Sequence, residues 1–301
     1  MQKRPGPPGD PRIHYEVGAN KRLAIPQSTI EPRVQQLIDH VVEHGYVVIP
    51  NAFSPLEIEE ARAEVARLTS QGGPAAAHGR NTFEGVKTQR IYALLNKSRA
   101  FDKFTLHPDV LALNDYFLEP GYLLTLLQSI NILPGEAEQT IHHDDAYVTV
   151  PRPHNPFSTG VMIAIDDYTA TNGSTVIIPK SHTWDSEREP KRSETQSVIM
   201  PSGSIMYFLG TLYHGGGANT SDKNRLALTS QYCQPWLRTY ENMILAVEWD
   251  KLDKMPPRLV DMLGYKVASP HVGAVDGTSP RAAVVRLMEK WKRENKGDSR
   301  L

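Results

Sequence analysis

Residues 204–232, SIMYFLGTLYHGGGANTSDKNRLALTSQY, decide the architecture. Two apolar segments, Ser204–Leu209 and Arg225–Tyr232, flank a polar stretch that contains three consecutive glycines. Both have strand length and both end at turn residues, so the pattern predicts antiparallel strands joined by a loop. Toward the N-terminus, further short apolar segments follow at Ser197–Met200, Ser174–Ile178, Gly160–Ile165, Tyr147–Val150 and Leu123–Leu133. Pro201-Ser202-Gly203, Asn172-Gly173 and Pro134-Gly135 separate them. Many short strands at close spacing predict a double-sheet jelly roll from about Tyr122 to Pro235.

Outside this core the periodicity is helical. Val34, Leu37, Ile38, Val41 and Val42 recur at helical spacing, with Gly45 at the expected C-cap and a short strand, Tyr46–Ile49, beyond it. Ser54-Pro55-Leu56-Glu57 reads as a capping box with proline at the first helical position. Ile58, Ala61, Val65 and Leu68 continue the buried face until Gly72-Gly73-Pro74. The last fifty residues are again helical in pattern, with Ala282, Val285, Leu287 and Trp291 among charges, a packing or dimer element. The expected fold is therefore mainly β with flanking helices. Residues 1–27 form a tail, 28–121 a helical part packed on the core, 122–235 the catalytic core and 236–301 a helical extension, in one catalytic domain overall.

Composition narrows the functional classes. The chain has 301 residues, 40% apolar and 22% charged, with 33 basic against 34 acidic side chains and a net charge of −1. Nothing in that balance points to a nucleic acid or membrane surface held by bulk charge. A single cysteine, Cys233, excludes an intrachain disulfide framework and a thiolate zinc cluster. No run reaches the roughly 18 apolar residues of a membrane span. A cytoplasmic protein acting on a small molecule, as monomer or homodimer, is the expectation.

The chemistry concentrates in Gln139-Thr140-Ile141-His142-His143-Asp144-Asp145 and around His214. On a strand, His142 and Asp144 project to the same face and offer an imidazole and a hard carboxylate to one metal. His143 and Asp145 have the same spacing, so the register is open at this point. His214, followed by Gly215-Gly216-Gly217, adds a second imidazole beside backbone that a cofactor can approach closely. Two histidines and one carboxylate suit a non-haem iron centre with open positions, although zinc with one water can use the same set. Arg225 follows His214 by eleven residues and opens the next predicted strand. Its planar fork suits a carboxylate near the metal.

These stretches resemble the phytanoyl-CoA dioxygenase (PhyH-like) family of Fe(II)/2-oxoglutarate oxygenases. The resemblance rests on Gln139–Ala146, on Asn172-Gly173-Ser174 through Pro179-Lys180-Ser181-His182, and on His214 through Asn219 with Arg225. It implies a double-stranded β-helix, cupin-like core, with Fe(2+) on His142, Asp144 and His214. Family spacing from Gln139 selects this register over His143 and Asp145. It implies 2-oxoglutarate held by Arg225, Gln139 and Thr175, dioxygen as the other co-substrate, and Arg90 in the substrate pocket. Lys180 stands where the family usually has glycine, which puts the local turn in question. Asp144 argues against halogenation, since halogenating relatives lack this carboxylate.

Tyr92, Phe101, Tyr147, Phe157 and Trp236 are candidate pocket aromatics, with Tyr147 and Trp236 the preferred substrate contacts. They suit a small, partly apolar molecule, and relatives of this length suggest a secondary-metabolite intermediate. An acyl-CoA is disfavoured, because Lys87, Arg90, Lys97 and Arg99 are the main basic residues available for its phosphates. Hydroxylation, desaturation or a related C–H oxidation is expected. The alternatives are a cupin-like metal-dependent hydrolase or isomerase, and a non-catalytic ligand-binding jelly roll.

Overall fold

Alternation along the strands builds two cores from one sheet. In the computed structural model, which describes residues 14–15, 22–23, 30–72 and 81–294, nine strands concern the site. They are β1 (Tyr46–Ile49), β2 (Thr88–Ile91), β3 (Leu123–Ile132), β4 (Ser158–Ala164), β5 (Thr175–Ile177), β6 (Gln196–Ser197), β7 (Ile205–Leu209), β8 (His214–Gly216) and β9 (Arg225–Cys233). The large sheet has the order β1-β7-β4-β9-β3-β2 and the small one β8-β5-β6, with neighbours antiparallel. This is the expected two-sheet architecture.

Odd and even residues of the central strands go to opposite sides. Val161, Ile163, Ile205, Tyr207, Leu226 and Leu228 pack outward under the helices. Met162, Ala164, Met206, Phe208, Ala227 and Ile130 face inward between the sheets. Helices α1 (Pro32–His44), α2 (Pro55–Ser70) and α3 (Pro108–Phe117) cover the outer face. The α2 capping box forms as its sequence predicts: the Ser54 N–H donates to Glu57 at 2.9 Å and the Glu57 N–H to Ser54 Oγ at 3.4 Å. Gly45 closes α1 in the left-handed conformation, φ +84°.

The structure departs from the sequence expectations at definable places. Tyr147–Val150 is not a strand; the chain makes a 3-10 turn over Asp144–Tyr147 and then runs irregularly. Pro151, Pro153 and Pro156 lack N–H donors, so a ladder cannot continue there. Thr88–Ile91 carries no periodic signal, yet it pairs with β3 as one edge of the large sheet, while β1 forms the other. The C-terminal helix, α4 (Pro280–Glu294), buries Ala283 and Val284 instead of Val285 and Leu287, which are about half exposed. Pro280, Val284 and Met288 repeat every four residues and form the stripe that meets the core. Lys180 adopts φ +66°, so lysine occupies the left-handed turn that glycine usually supplies, and its N–H still reaches the His44 carbonyl at 3.0 Å. Residues 1–13, most of the rest of the expected tail, and Gly73 and Pro74 lie outside the described residues.

One irregularity matters for the site. Gln231 pairs with Leu126 and Tyr232 with Leu124, so Thr125 is an extra residue, a bulge on β3. The bulge turns Leu124 to the outer core and frees Thr125 to bind the segment after β9.

Candidate active site

His142 and His214 are brought together by backbone. Each N–H donates to the other's carbonyl, at 2.9 Å and 2.8 Å, in an isolated antiparallel bridge. Their ring centroids lie 4.5 Å apart. Asp144 then opens the 3-10 turn, which curls its carboxylate back toward both rings. Strand alternation was the expected cause of this convergence. A turn is the actual one, because extended geometry ends at His143.

Asp144 Oδ1 stands 3.7 Å from His142 Nε2 and 3.6 Å from His214 Nε2, and the three donor atoms lie within 4.8 Å of one another. Nδ1 of His142 lies 2.9 Å from the Thr140 carbonyl, and Nδ1 of His214 lies 3.0 Å from the Leu212 carbonyl. A carbonyl only accepts, so each Nδ1 carries the proton and each Nε2 presents a lone pair to the shared space. Burial, reinforced by His214, pushes the pKa of His142 well below the ordinary imidazole range. The neutral form that a metal requires is thus favoured.

In the other register only Asp145 is turned away, since His143 also lines the cavity beside the triad. His143 packs its ring edge-on to Tyr213 at 5.1 Å. Asp145 is fully buried, accepts from Ser158 Oγ at 2.5 Å and from the Phe157 N–H at 2.9 Å, and has its pKa pushed up to about 7 by burial. Its backbone N–H donates to the Gly210 carbonyl at 2.9 Å, and a Cβ on Gly210 would sit 2.4 Å from its Oδ1. Asp145 is a packing carboxylate.

Arg225 lines the same cavity as the triad, which measures about 520 Å³. Its side chain is 1% exposed. NH1 donates to the Tyr168 hydroxyl at 2.9 Å, NH2 donates to the Gly173 carbonyl, and Nε is buried without a partner. Gly173 holds φ +79°, a conformation that suits glycine and presents its carbonyl to the guanidinium. Thr175 lies beside Tyr168 on the same wall. Gln139 also lines the cavity, with Oε1 accepting from the Gly216 N–H at 2.9 Å and Nε2 donating to the Phe83 carbonyl at 3.0 Å. The Phe83 carbonyl takes one of the two amide N–H donors of Gln139 and leaves the other for a carboxylate.

Among the expected substrate contacts, Arg90, Tyr92 and Tyr147 line the cavity. Arg90 donates to the Glu84 carbonyl through Nε at 3.2 Å and NH2 at 3.1 Å. Trp236 does not line this cavity. It lies in a neighbouring groove with Leu123 and Lys266, its ring 5.5 Å from Phe157. A turn closed by the Leu237 N–H on the Gln234 carbonyl, at 3.0 Å, throws Trp236 outward, and Tyr240 returns to the cavity in its place. Phe101 belongs to the outer core, and Phe157 stacks on His154 at 4.5 Å.

Sequence reasoning missed Gln231, Tyr240 and Tyr168. Gln231 Nε2 donates to Asp144 Oδ2 at 2.8 Å, and the Tyr240 hydroxyl donates to the Asp144 carbonyl at 2.9 Å. Arg225, Thr229 and Gln231 share one face of β9 by alternation, a signal that marked Gln231 once Arg225 was chosen. Tyr240 and Tyr168 lie in or beside irregular chain, where no period applies.

The donor set fits iron: two imidazoles and a carboxylate lining an open cavity. Arg225 lines the same cavity with a buried, unpartnered Nε, a donor that suits a carboxylate. Residues 41–227 match the phytanoyl-CoA dioxygenase (PhyH) family. Dioxygenase FUM3 of Gibberella moniliformis is 27% identical over 82% of this chain and 87% of its own length. Dioxygenase trt7 of Aspergillus terreus is 25% identical over 81% and 87%. Among solved structures, the non-heme alpha ketoglutarate dependent epimerase SnoN from nogalamycin biosynthesis superposes with a TM-score of 0.55 at 18% identity, over 67% of this chain and 81% of that one. Among the described residues no helix is long and apolar enough to cross a membrane. The chain belongs to the phytanoyl-CoA dioxygenase family, and it is a dioxygenase that uses iron, 2-oxoglutarate and dioxygen.

Proposed function

We propose that this enzyme oxidises a C–H bond of a small, partly apolar molecule, a secondary-metabolite intermediate, with His142, Asp144 and His214 as the iron ligands. The observation that carries this is the meeting of three metal-competent donor atoms within 4.8 Å at one wall of a cavity that Arg225 also lines. Arg225, with Thr175 and Gln139 nearby, holds 2-oxoglutarate; the guanidinium orients the distal carboxylate. Bound in this place, iron and 2-oxoglutarate supply the activation of dioxygen, with succinate and carbon dioxide as by-products. The chain's own residues orient and exclude. Phe83, Leu126, Ile130, Ile132 and Met162 keep water from the reacting face, and Arg90 and Tyr147 hold polar edges of the substrate.

This lining mixes apolar side chains with polar ones that the metal and 2-oxoglutarate would engage, which favours a compact substrate over an acyl-CoA. SnoN, similar in fold, is an epimerase from nogalamycin biosynthesis, which supports a natural-product intermediate as the class. A buried, lone Cys233 suits a cytoplasmic protein, acting as monomer or homodimer.

Incubation with candidate metabolites, Fe(II), 2-oxoglutarate and labelled dioxygen tests the proposal. Label in succinate and a product oxidised in step with it are expected. Turnover of a metabolite without 2-oxoglutarate would favour the metal hydrolase or isomerase. A chlorinated product would contradict the role given to Asp144.

A further inference from the structure

Gln231 and the two imidazoles meet different oxygens of Asp144. The Gln231 Nε2–H donates to Oδ2 at 2.8 Å, while Oδ1 is the oxygen 3.6–3.7 Å from the two histidine Nε2 atoms. A carboxylate can hold a metal through one oxygen or both. With two imidazoles and one oxygen, three octahedral positions stay open: two for a keto-acid chelate and one for dioxygen. A second oxygen from Asp144 would take one of those three. The choice between one and two oxygens therefore bears on co-substrate binding, and a hydrogen bond that engages Oδ2 weighs against the second oxygen.

The surrounding chain fixes this donor. Gln231 lies inside the large sheet, opposite Leu126 on β3 and Gly160 on β4, and on the face that carries Thr229 and Arg225. The β3 bulge comes directly beyond it. Thr125, the extra residue, accepts the Tyr240 N–H through Oγ1 at 2.6 Å and the Glu241 N–H through its carbonyl at 3.0 Å. That anchorage aims the Tyr240 hydroxyl at the Asp144 carbonyl, 2.9 Å away. Asp144 is thus held at its side chain from β9 and at its backbone from the segment the bulge secures.

We propose that Gln231 is a positioning residue that restricts Asp144 to one-oxygen ligation, keeping the metal open for 2-oxoglutarate. Tyr240 steadies the backbone on which that restriction depends. The inference rests on the metal site proposed above, and its test separates the two.

Gln231→Met keeps the length of the side chain and removes the donor; Gln231→Glu keeps the shape and replaces the donor with a carboxylate. Each is loaded with Mn(II) under anaerobic conditions, and 2-oxoglutarate is titrated in by calorimetry beside the wild type. The expected result is a 2-oxoglutarate affinity about tenfold weaker in both variants, because a second Asp144 oxygen competes for a position the chelate needs. Mn(II) affinity should stay within about threefold of wild type, because the freed oxygen adds to metal binding. A merely structural role would lower Mn(II) affinity and the melting temperature together, and that outcome overturns the proposal. So does unchanged 2-oxoglutarate affinity in both variants. Failure of the wild type to bind 2-oxoglutarate in a Mn(II)-dependent way would overturn the metal-site reading and this inference with it.

Discussion

Replacing Arg225 with alanine will weaken 2-oxoglutarate binding by about a hundredfold to a few thousandfold and leave metal binding nearly intact. Breaking a buried ion pair by removing one partner costs about 3–5 kcal/mol, and each 1.4 kcal/mol is about tenfold. The geometry makes Arg225 a demanding case, with its side chain 1% exposed and its Nε unpartnered. Tyr168 and Gly173 already hold NH1 and NH2, so the fork is oriented before any ligand arrives. Arg225→Lys should fall between wild type and alanine, because an ammonium keeps the charge and loses the bidentate fork. Removal also leaves the Tyr168 hydroxyl and the Gly173 carbonyl without this partner, so a lower melting temperature accompanies the effect. Calorimetry of 2-oxoglutarate into Mn(II)-loaded protein gives the number. Unchanged co-substrate affinity in a folded Arg225→Ala protein would show that another group holds the distal carboxylate.

The second large effect separates two aspartates that are adjacent in sequence. Asp144→Ala should reduce oxidation by more than about a hundredfold, the upper figure for loss of an outer-shell partner alone, since it removes a proposed ligand itself. Iron affinity should fall with it. Asp145→Ala should behave differently. That carboxylate faces Ser158 and the Phe157 N–H inside the fold, and its loss leaves buried donors unpaired at about 1–3 kcal/mol. The expected result is a lower melting temperature with metal affinity per folded molecule retained. Metal titrations and thermal unfolding of the two variants together check the register. If Asp145→Ala lost metal selectively and Asp144→Ala did not, the assignment would be reversed.

The sequence disclosed the parts of this molecule that obey a period or a spacing. Short apolar segments bounded by turn residues located most of the strands that carry the site, between Leu123 and Tyr232, and helical spacing located α1 and α2 with their caps. That His142, Asp144, His214 and Arg225 share one cavity was legible because few residue sets offer two imidazoles, a carboxylate and a guanidinium across one loop and hairpin. What stayed hidden depends on turns and on bulged or edge strands. Thr88–Ile91 is a four-residue edge, half of it outside the core, and carries no pattern of its own. Trp236 looked like a pocket aromatic, but a turn at Gln234–Leu237 decides its direction, and hydropathy does not encode that turn. Tyr240 reaches Asp144 because of the bulge at Thr125, a register shift between two strands that neither sequence alone reveals.

Anaerobic titration of the purified protein with Fe(II), followed by 2-oxoglutarate, tests the central claim most directly. The account predicts a weak visible charge-transfer band that requires both additions, saturates at one iron per chain, and is lost in His214→Ala. No band in the wild type, or an equal band in His214→Ala, would contradict it.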